Sequence, residues 1–125
     1  MYTPISHEEE VVGKAIVNAA YIVNKELGSG LLEKVYETCF CHVLKKQGFE
    51  VKRQLDIPII FDGIILEEGL RLDELVICEL KAVETVNAVW EAQILSHLKL
   101  TGKRLGYLIN FDVPIIKTGI RRFVM

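Results

Sequence analysis

At Phe49 the apolar residues of this chain change their period, and that change limits the folds open to it. Before Phe49 they recur at helical spacing, and just after it they alternate. From His7 to Leu27 the series Val11, Val12, Ala15, Ile16, Ala19, Ile22 and Val23 traces one helix face, and Ser6 with Glu9 makes a capping-box start. Gly28-Ser29-Gly30 stops that helix. The spacing predicts a second helix from about Leu31 to Gln47, with Leu32, Val35, Tyr36, Cys39, Phe40, Val43 and Leu44 as its apolar stripe and Gly48 as its C-terminal cap. Two helices thus precede all the strands.

Beyond Phe49, Val51, Arg53, Leu55, Ile57 and Ile59 alternate with Lys52, Gln54 and Asp56, and Asp62-Gly63 is a strong hairpin turn before a strand over Ile64 to Leu72. A third helix is predicted from Asn87 to Leu100, with Val89, Ile94, Leu95 and Leu98 facing inward and Gly102 ending it. Arg104 to Phe111 reads as a largely buried strand, and Gly119 to Val124 as a last, edge strand. The order helix, helix, strands, helix, strands suits an α/β or α+β sandwich: a mixed central sheet, flanked by helices, with a crossover helix returning the chain.

At 125 residues the chain is expected to form one domain, 1–125. No apolar run approaches the roughly 20 residues that cross a bilayer, and Met1 to Glu10 lacks the basic and apolar regions of a signal peptide, which suggests a cytoplasmic protein with no membrane partner. Cys39, Cys41 and Cys78 lack the paired spacing of a zinc site and read as buried thiols. A net charge of −2 argues against a chain that coats nucleic acid nonspecifically, while leaving room for a local basic groove. His7 and His42 read as surface residues and Trp90 as a packing residue.

Chemistry concentrates in Leu70-Arg71-Leu72-Asp73 and Glu79-Leu80-Lys81. On a strand, residues two apart share a face, so Glu79 and Lys81 point one way while Cys78 and Leu80 point to the core. Two carboxylates about 4 Å apart repel by roughly 4 kcal/mol at an effective dielectric near 20. Bringing Asp73 to Glu79 therefore favours a divalent cation between them, and Mg²⁺ takes such hard oxygen ligands. By residue type alone, an exposed strand carrying Glu and Lys against aggregation looks the same.

Gly30-Leu31-Leu32-Glu33-Lys34-Val35-Tyr36 resembles the signature of the GxxExxY family, within the PD-(D/E)xK nuclease superfamily. The resemblance continues through Gly69 to Asp73, Glu79 to Val83, Ala92 to Leu95, Leu100 to Gly102, Leu108 to Phe111 and Gly119 to Arg122. It implies a restriction-endonuclease-like core and a Mg²⁺ (or Mn²⁺) site with Glu33, Asp73 and Glu79 as ligands. Lys81 would stand beside the attacked phosphate, and Gln93 would join it from the following helix. His97 occupies the tyrosine position of a Gln-x-x-x-Tyr block, four residues from Gln93 and on the same helix face. Arg71, His97 and Lys99 are candidate nucleic-acid contacts, with Lys99, Lys103 and Arg104 forming a basic cluster.

One departure stands out. Only Glu74-Leu75-Val76-Ile77-Cys78 separates Asp73 from Glu79, where the family has room for two strand arms and a turn, and Leu-Val-Ile is a poor turn. Either the chain has lost the hairpin tip, in which case Asp73 is unable to reach the metal held by Glu79, or the tip is missing from this sequence and Asp73 remains a ligand. The leading expectation is a Mg²⁺-dependent nuclease that hydrolyses phosphodiester bonds in DNA. The alternatives are a non-catalytic module of the same fold that binds nucleic acid or protein, and a junction-resolving dimer, the latter disfavoured by the acidic balance. A small apolar-rich domain with an edge strand is also expected to form a homodimer.

Overall fold

The computed structural model describes residues 4–53, 56–58, 65–67 and 70–125. Helix α1 runs His7–Leu27 and α2 Glu33–Lys46. The short strands β1 (Val51–Arg53), β2 (Asp56–Pro58), β3 (Ile65–Glu67) and β4 (Leu70–Leu72) follow, then β5 (Val76–Lys81), α3 (Ala88–Thr101), β6 (Leu105–Asn110), a 3₁₀ turn (Ile116–Gly119) and β7 (Ile120–Val124).

Local chemistry sets the helix ends. The Ser6 side chain accepts the Glu9 amide at 3.1 Å while Glu9 Oε1 accepts the Ser6 amide at 2.9 Å, closing the expected capping box. At the far end Gly28 takes φ 68°, which turns the chain out of α1. Asn87 caps α3 through the Val89 amide, and Gly102 ends it in the left-handed conformation.

The main sheet has the order β1-β4-β5-β6-β7. β5 and β6 are parallel and the other pairs antiparallel, so the sheet is mixed, with α3 as the crossover between β5 and β6. β2 and β3 form a separate antiparallel pair. Of the two long strands expected before Asp73 the structure describes β1 with β2 and β3 with β4; residues 54–55, 59–64 and 68–69, the Asp62-Gly63 turn among them, lie outside the described residues.

Residues on the two faces of β5 meet different partners. Val76, Cys78 and Leu80 join Leu105, Tyr107 and Ile109 in the main core under α1 and α2, with Ile16, Tyr36 and Phe40. Ile77 faces the other way, onto Ile94, Leu98 and Phe123 beneath α3. Covered on both faces, β6 is buried throughout, as its apolar run predicts. Gly106 permits the close approach of α3: a Cβ there would lie 3.2 Å from methyls of Ile94 and Leu98.

Several expected inward positions face solvent. Leu32 is 78% exposed because it is the extended residue just before α2, not part of its stripe. Val89 is 56% exposed in the first turn of α3, and Leu95 is also exposed, so the buried face of that helix is Ile94, His97 and Leu98. Val11, Ile22 and Val35 are exposed as well, since each helix lies against the sheet along a narrower stripe than its apolar pattern spans.

Candidate functional site

The end of β5 is the anchor. Lys81 is the last residue paired with β6, opposite Asn110, and its carbonyl accepts the Phe111 amide at 2.9 Å. Asn110 is buried, and its side chain fixes the chain beyond Lys81 by donating to the Val83 carbonyl at 2.8 Å and accepting the Val83 amide at 3.1 Å. Strand parity then sends Glu79 and Lys81 to the α3 face, with Ile77.

Helix α3 meets both charged groups. The Lys81 ammonium lies 4.6 Å from the centre of the Trp90 ring, a cation–π contact. His97 Nδ1 lies 3.1 Å from Glu79 Oε1, in a side chain only 6% exposed. That separation falls within hydrogen-bond range, yet Nδ1 forms no hydrogen bond with the described residues, so its position is off the line of a well-formed bond.

Glu33 comes from α2. Tyr36 sets where that helix begins: its fully buried ring stacks on Phe111 at 4.9 Å, and its hydroxyl donates to the Gly28 carbonyl at 2.7 Å and accepts the Leu31 amide at 3.1 Å. Glu33 as a residue is exposed, but its carboxyl is crowded. Burial holds that carboxyl above the usual carboxylate range, the Lys81 charge opposes the shift, and Glu37 and Glu79 add to it. Three groups separated by nearly fifty residues of sequence thus sense one another's charge.

Asp73 does not join them. The β4–β5 register pairs Leu72 with Val76, so the chain reverses at once, through Asp73 and Glu74 at φ 49° and 58°. Positive φ at both central residues is the habit of tight hairpin turns, and Asp tolerates it better than most. The turn therefore forms one step earlier than the unsuitable Leu-Val-Ile, and it takes up Asp73 itself. Glu79 lies three residues beyond Val76, about 10 Å along the strand. Asp73 instead borders a surface cavity of about 360 Å³ lined by His7, Glu8, Val11, Val12, Phe49 and Leu75.

The remaining candidates are dispersed. Gln93 and Lys99 are exposed on α3. Arg71 Nη1 contacts Glu74 Oε2 at 3.1 Å, and Lys52 pairs with the same carboxylate, which these partners hold below its usual range. Arg104 ties the chain ends together by donating to the carbonyls of Pro4 at 2.9 Å and Met125 at 3.3 Å. Among the described residues, no group of three or more His, Cys, Asp or Glu side chains is arranged to hold a metal ion. Mg²⁺ does not require one, because it commonly uses one or two carboxylates and keeps several waters. Glu33 and Glu79 meet that lesser demand in donor chemistry.

Sequence reasoning assigned Trp90 to packing and Asn110 to no role. The signal for Trp90 was its spacing: positions 90 and 97 are two helical turns apart on one face, opposite positions 81 and 79 of a strand. The signal for Asn110 was a lone amide ending the buried run Leu105–Asn110.

No curated protein and no solved structure matches this chain. No helix among the described residues is long and apolar enough to cross a membrane. A family model for the PD-(D/E)XK nuclease superfamily matches residues 10–123. A mixed five-stranded sheet between helices, with Glu79-Leu80-Lys81 closing a central strand, fits that match along nearly its whole length, and the chain belongs to the PD-(D/E)XK nuclease superfamily.

Proposed function

We propose that this chain is a nuclease of the GxxExxY kind that hydrolyses phosphodiester bonds in DNA with a divalent cation, Mg²⁺ or Mn²⁺, held by Glu33 and Glu79. The observation that supports this reading is that the Glu33 carboxyl on α2 senses the charges of both Lys81 and Glu79 on β5. When bound, such an ion activates water and stabilises the departing oxygen. The protein's own contribution is positional. Lys81, steered by the Trp90 ring, presents a cation to the phosphate and offsets charge that develops there. Gln93, exposed one turn beyond Trp90, contacts the same strand of nucleic acid in this reading. In this reading the protein is cytoplasmic and works as a homodimer, with the β7 edge as the surface to be covered, which light scattering at high micromolar concentration tests.

A second reading is favoured by the place of Asp73: a module of the same fold that binds nucleic acid or protein without cleaving it. One experiment separates the two. Calorimetric titration with Mg²⁺ and Mn²⁺ is run on wild type, Glu33→Gln, Glu79→Ala and Lys81→Ala, beside cleavage assays on single- and double-stranded DNA. The nuclease reading expects Glu79→Ala to lose both metal and cleavage, and Lys81→Ala to keep metal and lose cleavage. DNA binding with no cleavage in either metal establishes the module instead.

A further inference from the structure

We propose that His97 Nδ1 and the Glu79 carboxylate form a nitrogen–oxygen donor pair for a divalent transition-metal ion, in the position that Asp73 leaves open. The site then prefers Mn²⁺, Co²⁺ or Zn²⁺ to Mg²⁺. This rests on the reading above in taking Glu79 as a metal-binding residue, and it adds a ligand and a class of ion.

The first observation is an orphan. The His97 side chain is more than nine-tenths buried, and its Nδ1 has no hydrogen-bond partner among the described residues. A buried polar atom left in that state loses its hydration without replacement, which calls for a partner. The second is a distance. Two donors held about 2.1 Å from one ion lie about 3.0 Å apart at a right angle and about 3.4 Å apart at a tetrahedral one. His97 Nδ1 and Glu79 Oε1 are 3.1 Å apart without hydrogen-bond alignment. The third is rigidity. Glu79 sits in the central strand and His97 on α3, and the two elements are locked by Ile77, Ile94 and Leu98, all fully buried. Donors fixed on packed elements hold a coordination geometry that loop residues would not.

The chemistry of the donors sets the selectivity. Mg²⁺ takes hard oxygen ligands and rarely nitrogen, whereas imidazole suits the later first-row ions, whose affinity rises from Mn²⁺ through Co²⁺. With the proton on Nε2, the neutral imidazole and the Glu79 carboxylate supply one nitrogen and one oxygen donor, and water molecules fill the remaining positions. Lys81, drawn toward Trp90, leaves the centre to the metal.

The test uses the full chain. His7 and His42 are exposed, and with His97 they are its only three histidines, so His7→Gln/His42→Gln leaves a single imidazole. The ¹⁵N resonances of that ring are followed during Zn²⁺ titration. Co²⁺ and Mg²⁺ affinities are measured by calorimetry, and by quenching of Trp90, the single tryptophan. Zn²⁺ is expected to displace the Nδ1 resonance, and Co²⁺ to bind at least tenfold more tightly than Mg²⁺. His97→Gln is expected to lose tenfold or more in Co²⁺ affinity and less than threefold in Mg²⁺ affinity. An Nδ1 resonance that Zn²⁺ leaves in place, or a His97→Gln protein that binds Co²⁺ as wild type does, overturns the proposal and leaves His97 as a packing neighbour of Glu79. Metal binding through His97 with no cleavage of DNA keeps this inference while the nuclease reading fails. Cleavage in Mg²⁺ that is indifferent to His97 does the reverse.

Discussion

Asp73 and Glu50 hold each other by the backbone: the Asp73 carboxylate accepts the Glu50 amide at 2.6 Å, and the Glu50 carbonyl accepts the Asp73 amide at 2.9 Å. The residue that most resembles a metal ligand in the sequence is therefore fastened into a hairpin turn at the start of β1. Asp73→Ala is expected to lose about 2 kcal/mol, from a charge-assisted hydrogen bond and from placing Ala at positive φ, with Asp73→Asn losing less. Urea denaturation measures the loss. Metal affinity should stay within twofold of wild type, and a tenfold drop would show that Asp73 reaches the cation after all.

The Lys81–Trp90 contact makes the site visible to fluorescence, because the chain has one tryptophan. Lys81→Met removes the cation from the ring and is expected to change the Trp90 emission while sparing metal binding. Trp90→Leu should reduce turnover in parallel by releasing the ammonium, an interaction worth about 0.5–2 kcal/mol. Equal activity in wild type and Trp90→Leu would mean that Lys81 is positioned by something else.

Asn110 links two segments that the site needs. Its side chain also accepts the Asp112 amide at 3.2 Å, so Asn110→Ala strands buried groups of Val83 and Asp112 at once. A loss of about 2–3 kcal/mol is expected. Hydrogen exchange should quicken at Val83, just past Lys81. If stability falls while exchange there stays slow, the segment has another anchor.

The thiols test burial. Cys78 is fully buried in β5, and burial raises its thiol well above the ordinary range; Cys41 is raised by the same cause. A thiol reagent at pH 8 is expected to modify the half-buried Cys39 first and Cys78 last, with all three cysteines reacting only in denaturant. Rapid labelling of Cys78 in the native protein would contradict its place beneath α1 and α2.

What the sequence determined by itself is everything that depends on neighbours a few residues apart. The Ser6–Glu9 cap, the stops at Gly28 and Gly102, the limits of α1, the buried run of β6 and the facing of Glu79 and Lys81 away from Cys78 and Leu80 all follow from local hydrogen bonding and side-chain periodicity. Tertiary structure alone decided which charged groups meet. Asp73 and Glu79 are six apart in sequence, yet the register that buries Leu70, Leu72 and Val76 puts the turn on Asp73 and separates the pair. His97 and Glu79 are eighteen apart, and packing Ile94 and Leu98 over Ile77 brings them to 3.1 Å. Apolar burial is non-directional and roughly proportional to area, so it chose the register and the seat of α3, and the polar groups went where those choices carried them.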